Sequence, residues 1–337
     1  MPTQYRDKPT NHPVSHVFIC VGWQVYVDML PFFEAIRHTH NAFFFTNVTH
    51  EGFSSQVRPI AELLGFAPPE RRAVVYFSVA RHYAKYVTGG TLGSCATKMV
   101  KISHGITGNW SRLLLKHREF IDVVIAASNL DADTYRNRTS YRVETIGWPR
   151  AEAFLKLNST RKIDERTIVV SSSWSRDKSD FRICDRIAEL ADYRITFMLH
   201  PVLTKPTFSD VDNLDPDFIN LQLEKLKGAA DVVQCEQGAL PHMLGKEIML
   251  CPISATAYEW VVLGNRPIWF LRPYDELDFG RNLEFDKPLR AQIEAPEPAR
   301  YGERRQTLRS RLVSHFDGKW NERFVALISD MESALLK

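Results

Sequence analysis

Along most of this chain, short runs of β-branched and aromatic residues alternate with longer stretches whose apolar residues recur at helical spacing. That alternation restricts the fold to βαβ units on a parallel sheet. His16 to Val21 reads as a first strand, a helix follows from Val27 to His38 with Pro31 near its first turn, and Ala42 to Thr46 is the second strand. A helix over Ser54 to Leu64 ends at Gly65. Ala73 to Phe77 reads as a strand or merges with a helical Val79 to Val87, which Gly89-Gly90 breaks. Strands are expected at Lys98 to Ser103, Val123 to Ala127 and Arg142 to Ile146, with a short helix at Leu130 to Tyr135 between the last two.

After a helix at Ala151 to Leu157 comes Asn158-Ser159-Thr160-Arg161-Lys162, a polar stretch with the composition of a linker. The alternation then restarts: strand Thr167 to Ser171, helix Asp180 to Ala191, strands Arg194 to Leu199 and Glu247 to Cys251, helix Thr256 to Leu263 and strand Pro267 to Leu271. Helices near Glu303 to Phe316 and Lys319 to Leu336 finish the chain. A length of 337 residues suits two domains at about 150 residues each. The expected organisation is an N-terminal domain over 1–157, a second over 158–316, and a terminal helix over 317–337 that packs back on the first domain. Two doubly wound α/β domains facing a central cleft are the economical architecture.

The net charge, 43 basic against 40 acidic residues, is too small for a nucleic-acid footprint. Five cysteines without a Cys-x-x-Cys pair suit reduced thiols in the cytoplasm. Met1 to Pro13 is polar, unlike a secretory signal, and no apolar run approaches the roughly 18 residues of a membrane span.

In open α/β sheets, ligands bind beyond the carboxyl ends of the strands, where helix N-termini point their N–H groups into the crevice. Five of the expected strands run into reactive or anion-binding clusters: His104-Gly105, Gly147-Trp148-Pro149-Arg150, Ser172-Ser173-Trp174-Ser175-Arg176, His200-Pro201, and Ser254-Ala255-Thr256-Ala257-Tyr258-Glu259. Taken singly, each has a bland reading: a hydrogen-bonded structural histidine, a helix-capping serine, a core tryptophan.

Their order, His-Gly, Gly-aromatic-Pro-Arg, Ser-Trp-x-Arg, Leu-His-Pro, then Ser-x-Thr-x-x-Glu before Leu-Gly-Asn-Arg-Pro-Ile, resembles the CDP-glycerol glycerophosphotransferases of teichoic-acid and capsule synthesis, over about Met99 to Leu271. The resemblance implies a GT-B-like fold of two Rossmann-like domains, with the acceptor mostly on the first and the nucleotide donor mostly on the second. It implies His104 as the general base on the acceptor hydroxyl. It also implies His200, Ser254, Thr256, Arg150 and Arg176 as donor-phosphate ligands, and Ser173, Trp174 and Glu259 about the nucleotide, with Glu259 on the ribose. The partners implied are a nucleotide-activated donor, which is a substrate, and a glycan or lipid-linked acceptor. No cofactor or metal is required, because His104 and His200 lack a third ligand at metal spacing.

Cys251-Pro252-Ile253-Ser254-Ala255 stands where that family has Thr-Asp-Tyr-Ser-Ser, and the group transferred stays open. The alternatives are a GT-B glycosyltransferase using CMP-Kdo or a UDP-sugar, a sugar-nucleotide 2-epimerase, or a non-catalytic glycan-binding assembly subunit. Arg300, Arg304, Arg305, Arg309 and Arg311 suit either peripheral contact with anionic lipid heads of the inner membrane or a solvated helix face. His12, His16, His38, His40 and His50 are either lining for an acceptor site or surface residues.

Overall fold

Runs such as Val17-Phe18-Ile19 are apolar at every position, which suits a parallel strand covered on both faces. The computed structural model describes residues 12–48, 56–78, 87, 89–103, 120–137, 139–172, 178–200, 203, 215–235, 238–273 and 277–337. The chain divides into two compact units, Met1–Glu152 with Val313–Lys337, and Ala153–Leu312.

The first unit carries strands β1 (Ser15–Cys20), β2 (Asn41–Thr46), β3 (Val57–Pro59), β4 (Arg72–Phe77), β5 (Ala96–Ile102), β6 (Val123–Ala126) and β7 (Arg142–Thr145). They form one sheet in the order β3-β2-β1-β4-β5-β6-β7 with every neighbouring pair parallel. Helix α1 (Trp23–Ile36) follows β1, and α2 (Asn129–Arg136) lies between β6 and β7. The chain's last helix spans Trp320–Leu336 and packs on α1, β4 and β5. Alternate strand residues feed two cores. Phe18, Phe44 and Tyr76 meet Phe33, Phe324 and Ile328 on one face, whereas Val17, Ile19, Phe45 and Val75 meet Leu63, Leu92 and Tyr135 on the other.

Helix α3 (Pro149–Ser159) leads into the second unit, whose strands are β8 (Thr167–Ser171), β9 (Arg194–Leu199), β10 (Asp231–Gln234), β11 (Ile248–Cys251), β12 (Ile268–Phe270) and β13 (Arg281–Asn282). Its helices are α4 (Pro216–Leu226), α5 (Leu240–Met243), α6 (Ala255–Leu263), α7 (Leu289–Glu294) and α8 (Ala299–Leu312), which makes the chain's last helix α9. The sheet is again wholly parallel, in the order β10-β9-β8-β11-β12-β13. Renumbered within each unit, the second sheet reads 3-2-1-4-5-6, the dinucleotide-fold order, and the first reads the same with a seventh strand added at its edge; each reverses direction between its first and fourth strands.

Several expectations are corrected. Helix α1 starts at Trp23, so Pro31 sits in its interior; burial of Met29, Phe32, Phe33 and Ile36 offsets the backbone hydrogen bond that proline removes. The helix expected over 54–64 is, among described residues, the edge strand β3 followed by a 3-10 turn at Ile60–Gly65, because Pro59 has no N–H to continue a helix. The helix expected at 180–191 is 3-10 over Lys178–Leu190. Its buried Phe181, Cys184, Ile187 and Leu190 recur at strict threes, which align on a helix of three residues per turn and drift around one of 3.6.

Candidate functional site

The reversal of strand order in the second sheet puts a crevice beyond the carboxyl ends of β8 and β11, with β9 on the far side of β8. The register aligns these ends: Leu250 pairs with Val170, and Ser171 with Met198. At roughly 4.8 Å between strands, the ends of β9 and β11 lie about 10 Å apart across β8.

Ser172 fastens the β8 end to β9. Its N–H and its hydroxyl both donate to the Met198 carbonyl, at 3.1 and 3.2 Å, and the hydroxyl accepts the His200 N–H at 3.1 Å. The imidazole of His200 is thereby held at the sheet edge. Burial pushes its pKa down to about 4, so at neutral pH it is uncharged and offers one N–H and one lone pair. His200 is therefore a hydrogen-bonding group here and not a resident cation.

Beyond β11, Ser254 takes the N-cap position of α6 with extended backbone, φ −159° and ψ 170°. A capping serine normally accepts an N–H from the helix's first turn. Ser254 does not: its Oγ is buried and, among the described residues, has no hydrogen-bond partner. The Ala257 N–H donates to the Ser254 carbonyl at 3.1 Å, while the N–H groups of Ala255 and Thr256, at the first two positions, have no intrahelical acceptor, and the positive end of the helix dipole points the same way. Thr256 is half-buried in the first turn, and Glu259 is buried three residues further on, on the same side of the helix. Four predicted site residues, His200, Ser254, Thr256 and Glu259, thus share the carboxyl edge of one sheet. His104, Ser173, Trp174 and Arg176 lie outside the described residues.

Arg150 belongs to the first unit, where its guanidinium lies 3.4 Å from the carboxylate of Asp28, a residue that also accepts the Trp148 indole N–H at 3.0 Å. Burial pushes the Asp28 carboxyl up, and the Arg150 charge and Trp148 hydrogen bond oppose that. Trp148 and Arg150 thus tie this segment to Asp28 of α1 within the first unit. Gly147 is required there, since its φ is +99° and a Cβ would meet the His315 carbonyl oxygen at 2.8 Å.

Sequence reasoning missed a cavity of about 680 Å³ past the ends of β12 and β13, lined by Arg182, Arg272, Asn282 and Phe285 among others. Arg182 lies over the Phe285 ring at 4.6 Å, and Arg272 Nε is 2.8 Å from the buried Asp180 carboxylate. The available signal was Arg272-Pro273, directly after an expected strand end.

Of the five arginines of the basic stretch, Arg305 and Arg309 are built into the fold, and Arg300, Arg304 and Arg311 are exposed. Arg305 is buried, chelated by Glu297 and donating to Asn265 Oδ1 and the Phe279 carbonyl; Arg309 donates to the Val262 carbonyl; Arg304 pairs with Asp278. Neither reading of the stretch, lipid contact or solvated helix face, holds for Arg305 and Arg309, whose guanidinium groups are engaged inside the fold. Of the first-unit histidines, His38 is exposed and His50 lies outside the described residues. His12, His16 and His40 gather on Glu332 at the amino-terminal edge of the sheet, opposite the ligand-bearing one.

All five cysteines are free, as expected. Among the described residues no helix is long and apolar enough to cross a membrane.

No family model and no curated sequence matches this chain. Solved structures do match in fold. The wall teichoic acid polymerase TagF aligns over 98% of this chain and 92% of its own, at 15% identity and a TM-score of 0.56. A UDP-N-acetylglucosamine 2-epimerase aligns over 94% of both chains, at 13% identity and a TM-score of 0.53. A UDP-glucosyltransferase from Polygonum tinctorium aligns over 96% of this chain and 99% of its own, at 10% identity and a TM-score of 0.50. The chain has a GT-B-like α/β fold of two Rossmann-like units.

Proposed function

We propose that this chain is a transferase that moves a polyol-phosphate or glycosyl group from a nucleotide-activated donor, CDP-glycerol-like, to a hydroxyl of a glycan or lipid-linked acceptor. The observation that carries the reading is the N-terminus of α6: an uncapped helix end whose N-cap hydroxyl is buried without a partner, at the reversal point of a dinucleotide-fold sheet. A donor diphosphate meets both needs, supplying acceptors to Ser254 Oγ and to the N–H groups of Ala255 and Thr256. Thr256 and the neutral His200 imidazole add donors about 10 Å away or less, and Glu259 takes the ribose hydroxyls.

In the polyol-phosphate case, the acceptor oxygen attacks the distal phosphorus of the donor. A new P–O bond forms as the bond to CMP breaks, and the hydroxyl proton passes to a base, the role proposed for His104. Charge developing on the departing phosphate falls on fixed N–H and O–H donors, whose orientation is set before reaction. The His-Gly and Leu-His-Pro sequences support the phosphotransferase form. The replacement of the family's acidic residue and second serine by Pro252 and Ala255 favours, as the second reading, a glycosyltransferase that cleaves the anomeric C–O bond.

Thermal stabilisation by CMP, CDP, CDP-glycerol, CMP-Kdo, UDP and UDP-sugars tests this, since a ligand that binds the native state raises Tm by mass action. A shift with CDP and CDP-glycerol, and a phosphodiester product, is expected. A shift confined to UDP compounds or CMP-Kdo, with a glycosidic product, would replace it by the second reading; no shift with any of them refutes both.

A further inference from the structure

At the amino-terminal edge of the first sheet, away from the carboxyl ends of its strands, three imidazoles converge on one carboxylate. Glu332 Oε1 lies 2.7 Å from His16 Nε2, 3.3 Å from His12 Nδ1 and 3.8 Å from His40 Nε2. Here His16 is on β1, His40 immediately precedes β2, and Glu332 is in α9. We propose that His12, His16, His40 and Glu332 bind one divalent transition-metal ion of the zinc class, which clips the C-terminal helix to the start of the sheet.

Spacing, orientation and charge support this. Four ligands at about 2.1 Å from a tetrahedral zinc are about 3.4 Å from one another; the three carboxylate-to-imidazole separations bracket that value, with His40 the outermost ligand. One ligand atom from each of His12, His16 and Glu332 lies within 4.8 Å of the other two. Two of the imidazoles also have the outer partner that metal-bound histidines use to fix their orientation. The far nitrogen of His16, Nδ1, is 2.9 Å from the buried Tyr76 hydroxyl, and that of His40 is 2.8 Å from Thr39 Oγ1. When those nitrogens donate outward, the Nε2 lone pairs of both rings face the carboxylate, an arrangement that a cation between them relieves. Among the described residues the ion-pair partners of Glu332 are these three imidazoles, with no lysine or arginine. Three imidazoles and a carboxylate suit zinc, cobalt or nickel better than calcium or magnesium, which take oxygen. Residues 16 and 332 are 316 apart, so a metal bond between them closes most of the chain into a loop. The role is structural, because the cluster sits at the edge opposite the carboxyl ends.

The test uses the full chain, stripped with chelator and then dialysed against cobalt(II) or zinc(II), with the metal content measured. One ion per chain is expected, with the intense visible bands of four-coordinate cobalt and a raised Tm that chelator reverses. His40→Ala and Glu332→Gln should each weaken cobalt binding at least tenfold, whereas His38→Ala, on an exposed imidazole nearby, should not change it. Absence of stoichiometric binding by the wild-type chain overturns the proposal without depending on any variant. Binding that His40→Ala and Glu332→Gln leave unchanged overturns it too, and so does a Tm that falls equally in these variants with and without metal, which identifies a hydrogen-bonded tether only.

Discussion

Replacing Ser254 with alanine separates a capping role from a ligand-binding one. If Ser254 acted as an ordinary N-cap, the substitution would cost about 1 kcal/mol of stability. In this structure the hydroxyl makes no capping bond and is buried without a partner. Leaving a buried hydroxyl unsatisfied costs about 1–3 kcal/mol, so Ser254→Ala removes a penalty and loses no hydrogen bond. The expected stability is equal to or above that of the wild type, read as an unchanged or raised Tm and urea midpoint. Donor affinity should move the other way. A hydrogen bond from a neutral group to a charged one contributes about 1.5–3 kcal/mol, which at about 1.4 kcal/mol per decade is roughly a 10- to 150-fold rise in Kd. Calorimetric titration with the nucleotide that raised Tm provides that number. A variant that loses cap-sized stability while keeping wild-type affinity would refute the reasoning, because Ser254 would then be a helix cap and nothing more.

Other perturbations follow from the same geometry. Gly147→Ala forces a left-handed residue and a Cβ against the His315 carbonyl, and should lower stability by about 1–3 kcal/mol, measured by urea denaturation. Asp28→Ala leaves the Arg150 guanidinium buried without that carboxylate, a loss of about 3–5 kcal/mol; the double variant with Arg150→Met should recover part of it, and strict additivity of the two single losses would show that the pair is not coupled. For His200, whose pKa falls to about 4 from an ordinary 6.5, both folded and unfolded chains are neutral above pH 6.5 and the group adds no pH dependence there. As pH falls from 6.5 towards 4 the unfolded chain takes up a proton that the folded chain refuses, so stability drops. The urea midpoint of His200→Gln should fall less between about pH 7 and pH 5 than that of the wild type, and equal slopes would place the titration elsewhere.

Much of the fold was legible because strand and helix signals are local. Thr167–Ser171 and Arg194–Leu199 appear at the bounds their residues suggest, as apolar runs between polar ones. The elements that escaped notice carry weak or competing signals. β10 is four residues long with none of them buried, and β13 is only two, so neither has an apolar run to read. Helix α4 did have a readable start, since Asp215 accepts the Asp217 N–H and Pro216 sits at the first position. The 3-10 segment shows the limit from the other side. Its period of three was visible in Phe181, Cys184, Ile187 and Leu190, but was absorbed into a generic helical reading.

The candidate site divides along the same line between local and non-local information. A polar cluster just after an apolar run can be found by reading forward, and the carboxyl-end rule for parallel sheets then says it faces ligands. By that route His200 and Ser254 are legible in the sequence. What the rule cannot supply is whether a cluster residue is already engaged by something distant. Arg150 follows a strand as the others do, yet its carboxylate partner Asp28 is 122 residues away, and only the folded structure shows that ion pair. The amino-terminal edge has no equivalent rule at all. His12 and His16, His40, and Glu332 come from three separate stretches of the chain, and nothing in the local sequence marks the three stretches as neighbours. Ser254 differs from Arg150 in one physical respect that the sequence could not express: its polar atom is buried and still has no partner among the described residues, which is the condition a bound ligand resolves.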